Sequence, residues 1–290
     1  MSFAIVTDSS ANLGAQLAEQ NGISVIPLPY FMDGKQCECV DPDIFDDKGY
    51  YNMLRRGVSV TTSQISPHSY IEHMEPLLQA GQDILFIGIS SGISGAFASA
   101  QMAREELLEQ YPEREICLVD SLGASLGEGM LALRAAMCRE NGMDLQETAK
   151  RLTKLRQRIY QVFIVDDLVH LKRTGRVSSL GAMVGSVLGI KPLLKGSPEG
   201  KIVSIGKVRG RKAAIRELAD KCVSMIKNTQ LIGISHADCA EDAEYLMQII
   251  KSKLSRVQFL LTKHEPATGS HLGPGALAIY FEGADDVREK

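Results

Sequence analysis

The residues best able to hold or transform a polar ligand lie in five short segments. The clearest is Ile89-Ser90-Ser91-Gly92-Ile93-Ser94-Gly95, between an apolar run and a helical period. Glycines at such a turn let the backbone approach a ligand, and free helix N–H groups with serine hydroxyls accept an anion. A serine-capped helix after a glycine turn explains the same residues, and both readings stand. Neither G-x-G-x-x-G nor G-K-[ST] spacing is present, so neither a dinucleotide nor a nucleoside triphosphate is indicated. Val60-Thr61-Thr62-Ser63-Gln64-Ile65-Ser66 adds small uncharged donors, and an extended capping loop is its plainer reading. Thr7-Asp8-Ser9-Ser10 ends the first apolar run, where Asp8 can serve as base, metal ligand or helix cap.

Leu171-Lys172-Arg173-Thr174-Gly175-Arg176-Val177-Ser178 sets Arg173 and Arg176 about a glycine, suited to an anion, an acidic loop or a partner. His271-Leu272-Gly273-Pro274-Gly275-Ala276-Leu277 reads as a rigid turn entering a terminal strand. Its histidine can bond a ligand, orient a serine, or simply sit exposed. A nucleophile is a weaker reading, because Gly92-Ile93-Ser94-Gly95 lacks the second spacing of G-x-S-x-G. Triads are spatial, so Ser94 with His271, oriented by Asp8 or Asp120, remains the alternative: a serine hydrolase acting on acyl esters. The set is rich in donors and poor in groups that activate them, which favours holding an anion over attacking a carbonyl.

The elements that must position these residues follow from periodicity. Apolar runs at 3–7, 24–29, 84–89, 116–119 and 162–165 read as strands of a buried parallel sheet. Helical periods occupy 13–21, 67–79, 94–110 and 123–141. Ser66 before Pro67, and Asp144 three residues ahead of Glu147, are helix-start signals. Beyond about residue 160 glycines become frequent, and the pattern runs segment 201–208, helix 212–226, strand 230–235, helix 241–254, strand 257–261 and strand 276–281. The expected fold is α/β, with an N-terminal α/β domain over 1–160 and a C-terminal α/β domain with a mixed sheet over 161–290.

With 290 residues, 44% hydrophobic and 23% charged, the chain has ordinary globular composition and can bury a large core. A net charge of −3 excludes an indiscriminate nucleic-acid binder. Lys and Arg nonetheless outnumber Asp and Glu by 18 to 5 over residues 150–227. That bias is either a run without surface meaning or a docking face for an acidic protein or anionic headgroups. The 6 cysteines form no C-x-x-C pair, and no histidine shows metal-ligand spacing. Cys117 and Cys222 sit in apolar patterns and read as core residues. The N-terminus lacks a basic region and meets Asp8 early, so no signal peptide is expected. The apolar stretch 182–190 is short of the roughly 18 residues a membrane span needs. A reducing cytoplasm is the expected compartment.

Taken in order, these motifs resemble the DegV family of fatty-acid-binding proteins, which includes the binding subunits of bacterial fatty acid kinase. The matching residues are Ile5-Val6-Thr7-Asp8-Ser9-Ser10, Thr62-Ser63-Gln64, Ser90-Ser91-Gly92-Ile93-Ser94-Gly95 with Ser99-Ala100, and Val119-Asp120-Ser121. They continue through 171–178, Lys191-Pro192-Leu193-Leu194, and His271 with Gly273-Pro274-Gly275-Ala276-Leu277. Ala96-Phe97 stands where the family usually has Thr–Tyr, and Ile65 where it often has Pro.

The resemblance implies two α/β domains enclosing one long-chain fatty acid as bound ligand, with no cofactor and no catalysis by this chain. Carried over by motif, Thr62 and Ser94 would bond the carboxylate, with the Gly95 N–H contributing. Ser63, Ser91 and His271 would support the headgroup region, and Arg173 and Arg176 would serve exchange with a partner. That partner would be a separate fatty acid kinase subunit that phosphorylates the acid to an acyl phosphate with ATP; a membrane surface is a further transient partner. The apolar, glycine-spaced segment 180–188 is expected either to line the tail or to form a core helix.

Overall fold

A computed structural model describes residues 3–166, 168–177 and 189–290. In chain order the first part gives β1 (Ala4–Asp8), a 3-10 turn (Ser9–Ala11), α1 (Ala15–Gln20), β2 (Ile23–Ile26), β3 (Tyr30–Met32) and β4 (Lys35–Cys37). It continues with α2 (Asp47–Arg55), β5 (Val60–Thr62), α3 (Pro67–Gln79), β6 (Ile84–Gly88), α4 (Ala96–Gln110), β7 (Ile116–Asp120), α5 (Leu126–Glu140) and α6 (Leu145–Leu155). The rest comprises β8 (Ile159–Ile164), α7 (Val169–Thr174), β9 (Ile190–Gly196), β10 (Ile202–Arg209), α8 (Arg211–Met225) and β11 (Ile226–His236). Then come α9 (Ala240–Lys253), β12 (Phe259–Lys263), α10 (Pro266–Leu272) and β13 (Leu277–Gly283).

Strands β2-β1-β6-β7 form a wholly parallel sheet, and β1 and β6 are buried along their whole length. Both faces are covered, which is why the strands read as continuous apolar runs. A six-stranded sheet, β10-β9-β8-β13-β11-β12, is antiparallel except where β11 meets β12. The expected start signals act as caps: Ser66 Oγ accepts from the Ser69 N–H at 3.1 Å, and Asp144 Oδ1 from that of Glu147 at 2.8 Å.

The layers explain the composition of α5. One face of the parallel sheet packs α3 and α4, and the mixed sheet carries α8 and α9 on its own outer face. Between the sheets lies α5, which touches β1 and β6 on one side and β8, β11 and β13 on the other. A helix enclosed on both sides must be largely apolar where it is covered, and α5 is buried at ten of its fifteen positions.

Three expectations are corrected. The run 162–165 belongs to the mixed sheet and not the parallel one, because an apolar run states burial without naming its partner strand. Thr61 and Thr62 end a strand of a small antiparallel sheet, β4-β3-β5, instead of a capping loop. His271 lies in the last turn of α10 and not in an open turn; Glu265 caps that helix, and Pro266 begins it. The segment 180–188 lies outside the described residues.

Candidate functional site

The ends of the β-strands and the start of α4 converge on one cavity of about 160 Å³ between the two large sheets. Ligands of open parallel sheets bind at this position, beyond the carboxyl ends of the strands. Thr62, Ser63, Ser94, Gly95, Arg176 and His271 all line it, brought together from four separate stretches of the chain. The walls behind them are largely apolar, with Leu28, Ile89, Ile93, Phe163, Leu272 and Ala278 contributing.

Thr62 Oγ1 and His271 Nε2 are 2.9 Å apart, a contact across 209 residues of sequence. Burial, reinforced by the positive charges of Arg176, Arg173 and His170, pulls the His271 pKa down to about 4. The imidazole is therefore neutral near pH 7, and its Nδ1 has no hydrogen-bond partner among the described residues. Ser94 Oγ accepts from the Ala96 N–H at 3.2 Å, which leaves its own proton free for a ligand. Gly95 precedes α4, and a Cβ there would strike the Gln64 side chain. Gln64 in turn donates to Ser99 Oγ at 3.0 Å, so the β5 and α4 segments are tied beside the cavity.

Two further candidates lie elsewhere. Ser91 turns away from the cavity and donates to Asp120 Oδ2 at 2.6 Å. Arg173 is exposed in the last turn of α7, and its charge still reaches His271. The acids considered as orienters of a triad are both engaged with other groups. Asp8 accepts backbone N–H donations from Ser10 at 3.0 Å and Ile89 at 3.1 Å. Asp120 holds the N–H groups of Ser91 and Leu122 as well as the Ser91 hydroxyl. Among the described residues His271 thus has a threonine beside one nitrogen and no acid on the other, which is not a Ser–His–acid relay.

Several residues of the site went unread in the sequence. Glu128, in the buried first turn of α5, accepts from Thr7 Oγ1 at 2.8 Å and Ser10 Oγ at 2.7 Å. Full burial and the nearby Asp8 push its pKa well above the carboxylate range. Gln161 is wedged beneath the cavity, donating to the Leu122 carbonyl at 3.0 Å, with Gly123, Gly127 and Gly196 packed around its amide. A polar residue inside an apolar period is the one signal that marked either.

Glu265 is wholly buried, and its carboxylate accepts from the Ala267 and Thr268 N–H groups, both at 2.6 Å. Desolvation nevertheless raises its pKa from 4.5 to about 7. An acid raised in this way is uncharged, and costs nothing, below its unfolded pKa; the penalty grows as pH climbs through the folded value. Glu265→Gln is therefore expected to gain stability relative to the wild type between pH 4.5 and 8, by about 3 kcal/mol. Urea unfolding at several pH values measures this, and parallel profiles for the two proteins would refute it.

Among the described residues no helix is long and apolar enough to cross a membrane. The family model described as "Uncharacterised protein, DegV family" matches residues 2–283. A DegV domain-containing protein of Clostridium perfringens is 36% identical over 290 residues, spanning 99% of each chain. In structure the chain is similar to a fatty-acid-binding DegV family protein from Thermus thermophilus, with TM-score 0.88, 29% identity and coverage of 98% and 100%. It is also similar to DegV, a fatty acid binding protein from Bacillus subtilis, with TM-score 0.83, 31% identity and coverage of 98% and 100%.

Proposed function

The chain belongs to the DegV family, and from that premise we propose that it binds one long-chain fatty acid and presents it to a separate kinase subunit. Thr62, Ser94 and the Gly95 N–H hold the carboxylate, with Ser63 and His271 shaping the headgroup region. The kinase transfers the terminal phosphoryl group of ATP to the carboxylate, giving an acyl phosphate and ADP, while this chain performs no chemistry itself. Arg173 and Arg176 face the partner or, transiently, a membrane surface, and the protein works in the cytoplasm. We place the division between its two α/β domains near residue 160.

The observation that carries this reading is the convergence of Thr62, Ser94, Gly95 and His271 on one apolar cavity. Burying ~15 methylenes at ~0.8 kcal/mol each is worth on the order of 12 kcal/mol before the entropy losses of binding. A carboxylate at the mouth then needs only a few hydrogen bonds. Thr62, Ser94 and the Gly95 N–H supply them and leave one oxygen open to a visiting enzyme. A neutral His271 fits the same logic.

Native mass spectrometry of the protein purified from bacteria is expected to show a mass increment matching a C14–C18 acid. Apo protein that also fails to take up added palmitate would overturn the reading.

A further inference from the structure

The cavity carries a second polar set, distinct from Thr62, Ser94 and Gly95. Tyr280 on β13, Thr268 on α10 and His264, directly after β12, line it beside the aliphatic side chains. His264 is 1% exposed, and its Nε2 lies 3.0 Å from Ser235 Oγ on β11. That hydroxyl lies 3.1 Å from the Tyr280 hydroxyl. The other ring nitrogen of His264, Nδ1, is buried and has no hydrogen-bond partner among the described residues. We propose that this part of the cavity recognises a hydroxyl group carried part-way along an acyl chain, held by His264 Nδ1, so that the preferred ligand is a hydroxy fatty acid.

The chemistry of the set selects that group. Burial, reinforced by His236, holds the His264 pKa down at about 3, so the imidazole is neutral near pH 7 and one ring nitrogen carries the proton. Ser235 has one proton to give. If it goes to Tyr280, His264 Nε2 donates to the serine and Nδ1 is a bare acceptor. If it goes to Nε2, Nδ1 carries the proton and is a donor. A hydroxyl answers either state because it both donates and accepts, whereas a carbonyl answers only one and a methylene neither. A buried nitrogen facing plain alkyl chain would stay unsatisfied at the cost of its lost hydration.

Neighbouring polar groups are already engaged. Thr268 Oγ1 donates to the Glu265 carbonyl at 3.3 Å and accepts from Asn12 Nδ2 at 3.4 Å. Gln161 donates to the Leu122 carbonyl and accepts from the Ala124 N–H at 3.3 Å. Position separates this set from the headgroup. His264 and His271 both line the cavity seven residues apart, which at ~1.5 Å of rise per residue along α10 is roughly 10 Å. His271 stands beside Thr62, so His264 meets the chain away from its carboxylate. The inference rests on the fatty-acid reading and names the class of acid.

The test is competition calorimetry on the delipidated full chain, comparing stearic acid with hydroxystearic acids substituted on the tenth or twelfth carbon. At least one hydroxy acid is expected to bind ~tenfold or more tightly than stearic acid. His264→Leu is expected to abolish that ratio, and His264→Gln, which keeps a donor and an acceptor, to restore part of it. Equal affinities in the wild type, a measurement that needs no variant, overturn the proposal. A preference unchanged in His264→Leu does the same, because the hydroxyl would then be held elsewhere. Binding of none of these acids would overturn the fatty-acid reading itself, an outcome distinct from tight binding without preference.

Discussion

Combining Thr62→Ala with Ser94→Ala is expected to weaken fatty-acid binding by ~2–6 kcal/mol, a loss between about 30-fold and 10⁴-fold. Each hydroxyl is a donor that a buried carboxylate cannot replace with water, and each loss costs ~1–3 kcal/mol. The threonine carries a second consequence, because its removal leaves His271 Nε2 without its 2.9 Å neighbour. Coupling of that kind makes the pair non-additive, so the single variants belong in the same titration. Thr62→Ser keeps the hydroxyl and is expected to stay close to wild type. Isothermal titration with palmitate measures all four variants against the wild type. Full affinity in the double variant would remove the headgroup assignment while leaving the carrier reading intact.

The second large effect concerns a residue far from any motif. Arg288 is 1% exposed, the largest fully buried side chain among the described residues. Its guanidinium donates to the carbonyls of Ile159 at 2.9 Å, Leu122 at 2.7 Å and Ser197 at 3.1 Å. Lys195 donates to the Arg288 carbonyl at 2.7 Å, so the end of the chain is tied on both sides. One side chain thus joins the loop after β7, the start of β8 and the β9–β10 turn, just behind Gln161. Burial brings its pKa down to about 10, so it remains charged near neutral pH.

Arg288→Ala removes three charge-assisted bonds and leaves a large void, for an expected cost of about 3–5 kcal/mol. Relief of the buried charge offsets part of this, and Arg288→Met, which keeps the stem, isolates the hydrogen-bonding share. Guanidinium unfolding midpoints for the three proteins measure the effect. Wild-type stability in Arg288→Ala would show that the C-terminal segment closes nothing.

Much of the fold was legible because its signals are local. The apolar runs, the Ser66-Pro67 start and the Asp144 cap depend on residues within about four positions, and the chain obeys them. The helix expected over 67–79 is α3 residue for residue, while other boundaries moved by up to four positions. The hydroxyl and glycine turns were visible for the same reason, and their joint order pointed to the family.

What local pattern could not supply was partnership. An apolar run at 159–164 looks alike in either sheet, and only the antiparallel register with β13 and β9 assigns it. Ser91 and Ser94 are the same residue type three positions apart, yet packing turns one toward Asp120 and gives the other a place in the cavity wall. Glu128, Glu265 and Arg288 read in the sequence as ordinary charges, and enclosure alone shifts their protonation. Periodicity and capping are settled by a residue's neighbours along the chain; contact across 209 positions and desolvation are settled by how the layers close on one another.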